Sequence, residues 1–280
     1  MKIAVSSYSY LGALRDGRMT MLDVIPKAKK MGFDGVEIVN LGDSDAIRQI
    51  ADKLYAQSRE YGVSIVSYMT SGNFLADDLG AEVSKMQREV ELCVKLGATK
   101  MRHDACWAVP EGTTFESVLP RLVDGYRRVT EYAVGLGVHT MLENHGQFIQ
   151  DSSRVEAVVK GVNHKNFGWL VDIGNFLCVD EDPASAVPVG MKYASHVHAK
   201  DFHMKPGSQC APQLGWFGTR GGNHLRGAMF GHGNMNLGPI FKTIRESGYD
   251  DWIALEFEGV EDCLVAIPEG LKNLKYYLEG

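Results

Sequence analysis

The chain has 280 residues, 45% of them hydrophobic and 23% charged, which is enough to bury the core of one barrel-sized domain and excludes a disordered polypeptide. Its formal net charge is −6 with nine histidines counted as neutral, which argues against nucleic acid and anionic membrane surfaces as main partners. The chain enters a strand directly after Met1 and has no run of about eighteen apolar residues, so we expect a cytoplasmic protein without a membrane-spanning helix.

The cysteines are odd in number and widely spaced, and no two of them form a Cys-x-x-Cys pair. This spacing favours reduced thiols over a disulfide framework or a structural zinc cluster. The five residues are Cys93, Cys106, Cys178, Cys210 and Cys263.

Apolar runs with the length of strands alternate along the chain with segments that have helical spacing. In chain order, the predicted strands are residues 2–6, 35–40, 63–68, 99–103, 138–144, 167–172, 194–200 and 252–257. The predicted helices are residues 20–31, 44–61, 77–96, 115–136, 152–161, 183–189, 237–247 and a last helix that ends near residue 278. A loop is expected between the first strand and the first helix. Thr20 is the predicted N-cap of that helix, and Pro26 is expected to shift or kink its start.

Eight strand-helix cycles with short connections predict an α/β fold, and at this length they predict a closed TIM (β/α)8 barrel that forms a single domain over residues 1–280. An open doubly wound sheet is the alternative, which is disfavoured because no G-x-G-x-x-G follows the first strand. One connection, at about residues 202–236, is long and rich in glycine, and it carries His203, His224 and His232. We predict that it is an active-site loop, acting as a lid or as an interface, although its histidines are more typical of a surface.

Four consecutive strands end with a residue that can bind a metal ion: Glu143, Asp172, His198 and Glu256. In a parallel barrel these strand ends form the rim where active sites lie. Three carboxylates crowded there would repel each other, and a divalent cation would relieve the repulsion. Taken singly, each could be a solvated carboxylate or an ion-pair partner, but together they predict a metal site.

Side chains two residues apart on a strand point to the same face. In H-V-H-A-K, His196, His198 and Lys200 therefore share the face that points into the barrel. His198 is expected at the mouth, and His196 one layer deeper as a hydrogen-bonded core histidine. By the same rule His145 shares the pocket face with Glu143.

Several motifs together resemble one family. They are F-D-G-V-E-I, L-E-N-H-G, V-D-I-G-N, H-V-H-A-K-D, R-G-A-M-F-G-H-G and G-Y-D-D-W-I-A-L-E-F-E. Spanning almost the whole chain, they resemble the sugar phosphate isomerase/epimerase superfamily, the xylose isomerase-like barrels that include ketose 3-epimerases, hydroxypyruvate isomerase and inosose dehydratases.

The resemblance implies a metal bound by Glu143, Asp172, His198 and Glu256. Manganese is the expected ion, and cobalt, magnesium or zinc are alternatives that the mixed carboxylate and imidazole set also suits. It further implies that Glu143 and Glu256 form the catalytic acid/base pair. Relatives of this kind suggest a homodimer or homotetramer.

The resemblance also suggests substrate-binding residues. Lys200 matches the lysine that follows the metal-binding histidine, and Arg226 lies near the family's substrate-binding arginine, although its spacing differs. Asn175 is a departure, because the epimerases usually have histidine three residues after the metal-binding aspartate. A typical ketose 3-epimerase is therefore in doubt, and Asn175 is kept as a substrate-binding candidate.

Other side chains are predicted at the barrel mouth from the strands on which they lie. Glu37 and His103 are candidate ligands of sugar hydroxyls, beside Arg102 and Asp104 at the end of the fourth strand. His145 is either a general base beside the metal, which would support elimination, or a contact to a substrate hydroxyl.

Three aromatic residues, Trp107, Trp216 and Phe217, are candidates for an apolar wall against a sugar face or an aglycone, or for an oligomer contact.

The function predicted first is a metal-dependent isomerase or epimerase that acts on a keto sugar or an oxidised polyol through a metal-bound enediolate. The main alternative is a metal-dependent lyase, either a dehydratase or an enzyme that cleaves a 3-oxo-glycoside by elimination. An apurinic-site endonuclease would need more metal ligands and a basic surface. A non-catalytic sugar-binding barrel is the remaining alternative.

Overall fold

A closed barrel of eight parallel strands forms the centre of the computed structural model, which describes residues 1–106, 109–210 and 212–280. The strands in chain order are β1 (Lys2–Ser6), β2 (Gly35–Val39), β3 (Ser64–Ser71), β4 (Lys100–Asp104), β5 (His139–Glu143), β6 (Phe167–Asp172), β7 (Ala194–Ala199), β8 (Asp201–Lys205), β9 (Phe217–Gly218), β10 (His224–Ala228) and β11 (Trp252–Leu255). The barrel order is β1-β11-β7-β6-β5-β4-β3-β2, and β2 pairs with β1 to close it. The predicted TIM barrel is confirmed, whereas the domain limits of 1–280 stay a prediction.

Helices follow the barrel strands and cover them on the outside. They are α1 (Leu11–Arg15), α2 (Val24–Met31), α3 (Ser44–Tyr61), α4 (Leu79–Lys95), α5 (Phe115–Val134), α6 (Ser152–Val162), α7 (Pro183–Gly190), α8 (Leu237–Glu246) and α9 (Cys263–Glu279). Aspartate and threonine side chains cap α3, α4 and α5 by accepting a hydrogen bond from the third helical N–H. Within the described residues no helix is long and apolar enough to cross a membrane.

The chain between β1 and α2 differs from the predicted loop and from the predicted helix at 20–31. A 3-10 turn at Ser7–Tyr10 leads into α1, and a second 3-10 turn at Met21–Asp23 precedes α2. Thr20 and Asp23 form a capping box at this second turn. Pro26 then lies in the first turn of α2, where its missing N–H leaves no intrahelical bond unmade, so the helix starts late without a kink.

Residues 202–236, predicted as a long active-site loop, contain a small sheet, while their role as a lid or as an interface stays a prediction. Strands β8, β9 and β10 form an antiparallel sheet with the order β8-β10-β9, in which His203 is opposite Arg226. The sheet is attached to the barrel by the Asp180 carboxylate, which accepts hydrogen bonds from Thr219 Oγ1 and Asn223 Nδ2, both at 2.7 Å. The correction arises because the pairing joins segments about twenty residues apart, which local patterns do not reveal.

The main core lies between the barrel and its helices, with Trp169, Phe74 and Tyr126 among its largest fully buried side chains. Inside the barrel, β2, β3, β5 and β6 contribute a smaller apolar cluster. Its members are Val39, Met69, Met141 and Leu170, with Tyr8 packed against them. This cluster forms part of the floor beneath the carboxyl ends of the strands, where the candidate site lies.

Candidate active site

The four predicted metal ligands lie together at the carboxyl ends of neighbouring strands. Glu143 and Asp172 are the last residues of β5 and β6, His198 is the last but one of β7, and Glu256 follows β11. One possible ligand atom from each lies within 4.8 Å of all the others. All four side chains are buried, the most exposed at 7%. The arrangement follows from parallel strands that end at one rim with the same inward parity.

The donor atoms of this cluster fit a divalent cation. His198 Nδ1 lies 3.6 Å from a carboxylate oxygen of each of Glu143, Asp172 and Glu256. That distance is too long for a hydrogen bond, and Nδ1 has no hydrogen-bond partner among the described residues. One imidazole and three carboxylates around a common gap are a donor set that suits manganese, cobalt or zinc.

Glu37 lies one layer below this cluster and not at the mouth, which corrects its predicted role as a sugar ligand. Two further strand residues follow it in β2, and its side chain is fully buried. Its carboxylate accepts hydrogen bonds from His198 Nε2 at 3.0 Å and Ser67 Oγ at 2.9 Å, and it lies 2.6 Å from His196 Nε2. Burial raises the pKa of Glu37, but His198 and His196 outweigh it and lower the pKa to about 2.

The contact with Glu37 determines which nitrogen of His198 can bind a metal ion. Because an ionised carboxylate accepts the proton on Nε2, the lone pair of the neutral ring is on Nδ1, which faces Asp172 and the other carboxylates. His196 is buried one layer down, as expected from its strand position.

Lys200 and Asn175 connect the carboxylates. Lys200 Nζ lies 2.6 Å from Glu256 Oε2 and 3.3 Å from both Asp172 Oδ2 and Glu258 Oε2. Burial lowers the pKa of Lys200, but these carboxylates raise it well above its ordinary value, so the ammonium group stays charged. Asn175 Nδ2 donates to Glu143 Oε1 at 3.2 Å, and Asn175 Oδ1 accepts from Lys200 Nζ at 3.2 Å. Asn175 therefore orients other site residues and does not line the pocket.

A second polar chain runs from Glu143 to His145. Arg102 Nε lies 2.8 Å from Glu143 Oε2, and Arg102 also contacts Asp104 Oδ2 at 3.1 Å. Asp104 Oδ1 lies 3.1 Å from His145 Nδ1. Burial raises the pKa of Asp104, but Arg102 and His145 lower it to about 2. The sequence placed Arg102 and Asp104 at the mouth without assigning this link.

A pocket of about 450 Å³ opens above the cluster. Of the predicted site residues, Glu143, His145, Lys200 and Glu256 line it. Several lining residues were not predicted from the sequence, and Tyr8 and Glu258 are among them. Glu258 could have been found, because it follows Glu256 by two residues and so shares its parity. Tyr8 lies in the 3-10 turn after β1, which the sequence suggested was a loop.

Arg226 lies on β10 of the small sheet and does not line the pocket. It pairs instead with Glu261 at 3.2 Å and lies over the ring of Trp216. Neither Trp216 nor Phe217 lines the pocket. Trp107, the third predicted aromatic wall residue, is outside the described residues.

The three histidines on the predicted loop also do not line the pocket; they are His203, His224 and His232.

His103 faces the helices and not the pocket, which corrects its predicted role as a sugar ligand. Its ring stacks on Tyr126 of α5, with centroids 4.7 Å apart, and meets Phe74 edge-on. Arg102 and Asp104 point into the barrel, so the residue between them must point outward. The polar sequence of β4 did not reveal which of these two alternating sets faces inward.

We expect His103 to make the protein less stable in mild acid. Burial lowers its pKa to about 4, whereas the ordinary value is 6.5, so the unfolded state binds more protons between these pH values. The contribution of His103 to the free energy of unfolding therefore falls by about 2 kcal/mol between pH 7 and pH 5. Urea unfolding at both pH values should show a smaller loss for His103→Gln than for the unchanged protein. Equal losses in both proteins would contradict this.

Comparisons with known proteins agree with the geometry. A family model described as xylose isomerase-like TIM barrel matches residues 25–277. Inosose dehydratase of Lacticaseibacillus casei is 26% identical over 166 residues, which cover 57% of this chain and 53% of that protein. The chain thus spans about half the length of the curated relatives that it matches.

Two solved structures share the fold at low identity. The IOLI protein, whose crystal structure contains a bound zinc atom, has a TM-score of 0.76 and 17% identity, with 99% of this chain and 98% of that chain covered. D-psicose 3-epimerase from Clostridium cellulolyticum H10, solved with D-tagatose, has a TM-score of 0.74 and 17% identity, with 99% of each chain covered. At this identity the likeness establishes the fold alone. Because the family model spans most of the chain, the protein belongs to the xylose isomerase-like TIM-barrel family.

Proposed function

We propose that the protein is a divalent-metal-dependent isomerase or epimerase that acts on a keto sugar or an oxidised polyol. The observation that carries the proposal is the convergence of His198 Nδ1 and three carboxylates at the floor of a pocket of about 450 Å³. A divalent cation held by Glu143, Asp172, His198 and Glu256 would polarise a carbonyl oxygen and thereby acidify the hydrogen on the neighbouring carbon. Manganese is the ion that we expect, and the zinc in the IOLI protein supports a metal in this fold.

Two carboxylates are available to move that proton. Glu143 and Glu256 both line the pocket, and they come from β5 and from the residue after β11, which two other barrel strands separate. One can remove a proton from the substrate carbon while the other returns a proton, as an epimerisation requires. Lys200 and Arg102 each contact one of the pair and hold it in position.

A lyase is the second candidate function, and His145 is the observation that favours it. His145 lines the pocket and contacts Asp104 at 3.1 Å. Burial lowers the pKa of His145, but Asp104 more than offsets this and raises it above its ordinary value. An imidazole of this kind can protonate a leaving oxygen during elimination. The sequence similarity to inosose dehydratases supports the same reaction class.

The two functions differ in the products formed in deuterium oxide. We would incubate the metal-loaded protein with ketoses, oxidised polyols and 3-oxo-glycosides, and analyse the products by NMR and mass spectrometry. The isomerase or epimerase proposal predicts an isomeric product that has gained deuterium at carbon. Loss of water or release of an aglycone would assign the lyase instead. If the protein neither exchanged deuterium into any of these compounds nor converted any of them, both proposed functions would be contradicted.

His145→Ala is expected to affect the two reactions unequally. Without an acid near the leaving group, the rate of elimination should fall by about a hundredfold, because positioned acid/base groups contribute roughly 10²–10⁴ in rate. Epimerisation should fall by less than about tenfold, since Glu143 and Glu256 remain. His232→Ala, which replaces an exposed histidine outside the pocket, is the matched control. Equal losses of both reactions in His145→Ala would remove the case for His145 as an acid or base.

We further propose that the substrate is a small-molecule sugar or sugar-derived compound and that the protein is a cytoplasmic homodimer or homotetramer. The epimerase structure with D-tagatose supports the first point. Light scattering after size-exclusion chromatography measures the mass directly, and a monomer at micromolar concentration would contradict the oligomer.

A further inference from the structure

The pocket has two chemically different sides. Acidic and basic side chains from β4, β5 and the ends of β7 and β11 form one side. The opposite side comes from α1, β2, β3 and the loop after β2. We name its apolar residues the leucine wall: Leu11, Leu14, Val39, Leu41 and Met69.

The base of the leucine wall is a fixed part of the barrel. Val39 and Met69 belong to the apolar cluster inside the barrel, which also contains Met141 and Leu170. Val39 is 8% exposed and Met69 is fully buried. Such a packed base holds its shape without a ligand. The wall therefore rests on a rigid apolar base next to the carboxylates.

The upper part of the wall has apolar surface that the described residues do not cover. Leu41 is 44% exposed although it lines a pocket, and Leu11 and Leu14 are only partly buried. Covering this surface with an apolar group would remove it from water, at roughly 25 cal/mol for each Å². A sugar hydroxyl placed there would lose hydrogen bonds to water instead.

Apart from Arg15, an exposed residue at the end of α1 that also lines the pocket, the polar side chains on this side bond to the protein. Asn40 Nδ2 donates to Ser44 Oγ at 2.7 Å and to Thr70 Oγ1 at 3.3 Å, and Asn40 Oδ1 accepts from Gly42 N at 2.9 Å. Ser71 Oγ donates to Asp104 Oδ2 at 3.3 Å. Apart from Arg15, these residues leave few partners for sugar hydroxyls, whereas the opposite side presents several charged groups.

The volume of the pocket fits a ligand with more than one part. About 450 Å³ lies within the range of roughly 300–1,000 Å³ typical of pockets for drug-sized ligands, and a free hexose would fill only part of it. A sugar ring at the carboxylates would leave the leucine wall uncovered.

We infer that the natural substrate is a keto sugar that carries an apolar substituent, as in a glycoside with an aromatic aglycone, and that the substituent packs on the leucine wall. This inference rests on the proposed function for the position of the sugar ring. It names the substrate class more closely, because a free ketose has nothing to place on the wall.

The first test compares two ligands that differ only in the substituent. Isothermal titration of the metal-loaded protein with phenyl and methyl β-D-glucoside, which lack the oxo group and are not expected to react, gives the two dissociation constants. We expect phenyl glucoside to bind at least about tenfold more tightly, since each extra methylene in an apolar pocket is worth roughly tenfold or more. Equal affinities, or binding of neither glucoside by a protein that converts free ketoses, would overturn the inference.

The second test locates the preference on the wall. Leu41 lies in a loop, so the fold should tolerate Leu41→Asn. This variant should weaken the binding of phenyl glucoside about five- to tenfold and change the affinity for methyl glucoside by less than about twofold. Leu136→Asn is the matched control, because Leu136 is 41% exposed and lies outside the pocket. Equal weakening of both glucosides by Leu41→Asn, or of phenyl glucoside by both variants, would contradict the inference.

The two proposals can fail separately. A phenyl preference that Leu41→Asn removes, in a protein that exchanges deuterium into no keto sugar or oxidised polyol, would overturn the proposed function and leave the apolar binding site. Deuterium exchange without any phenyl preference would do the reverse.

Discussion

Glu256→Gln is expected to lower kcat by about 10⁴-fold at saturating manganese, because it removes both a proton-transfer group and a metal ligand. The side chain follows β11 at the rim, so the fold should be spared. Glu143→Gln should have a comparable effect, since both carboxylates line the pocket. The measurement is kcat together with bound metal and the urea midpoint of each variant.

Glu246→Gln provides the control for the loss of a glutamate, since Glu246 is exposed at the end of α8. It should change neither activity nor metal content. Unchanged activity in Glu256→Gln or Glu143→Gln would contradict the proposed mechanism. A loss of activity that accompanies unfolding, seen as a lower urea midpoint, would count against the claim that these residues act at the rim.

Glu37→Gln is expected to weaken manganese binding by about 10- to 100-fold, the usual cost of removing a carboxylate that orients a metal-binding histidine. The neutral amide can no longer hold the proton of His198 on Nε2 as firmly, so Nδ1 is less often available. Because Glu37 does not line the pocket, kcat should recover at high manganese concentration. Titration of the metal-free protein with manganese measures the affinity without any reaction.

Glu89→Gln is the matched control for Glu37→Gln. Glu89 is also buried, at 4% exposure, and accepts a hydrogen bond from Tyr68 far from the metal ligands. Both variants should be less stable, but only Glu37→Gln should bind manganese more weakly. The same manganese affinity in Glu37→Gln and the unchanged protein would show that Glu37 does not orient His198.

The barrel and the four metal-ligand candidates could be predicted because both follow from local patterns. A strand of about six residues ends where its apolar run ends, and in a parallel barrel all such ends meet at one rim. Glu143, Asp172 and Glu256 each end an apolar run, so their positions needed no long-range information. The glycines after α2 and α3 likewise determined where those helices stop, because Gly32 and Gly62 adopt left-handed conformations.

Predictions failed where the answer depended on which strand face points inward or on how far along a strand a residue lies. β4 has polar residues on both faces, so the sequence of this strand could not show that His103 points out of the barrel. Glu37 has the correct inward parity, but β2 continues for two residues beyond it. The predicted strand at residues 35–40 already continued past Glu37, so its assignment to the mouth did not follow from that range. Its contacts with His196 and His198 explain its buried position.

The small sheet and the leucine wall could not be predicted from the sequence for a different reason. The pairing of β8 with β10, and the pocket that both Leu11 and Leu41 line, bring together segments that are distant along the chain. Neither segment has a strong periodic pattern, and α1 has only five residues. The tertiary fold, more than local propensity, therefore determines these features.

The central claim is that Glu143, Asp172, His198 and Glu256 bind one divalent cation. The most direct measurement is a crystal structure of the protein grown with manganese, with anomalous diffraction data collected at the manganese edge. We predict one strong anomalous peak per chain, within bonding distance of His198 Nδ1 and an oxygen of each carboxylate. No peak at this position at saturating manganese, or a peak bound by other residues, would contradict the claim.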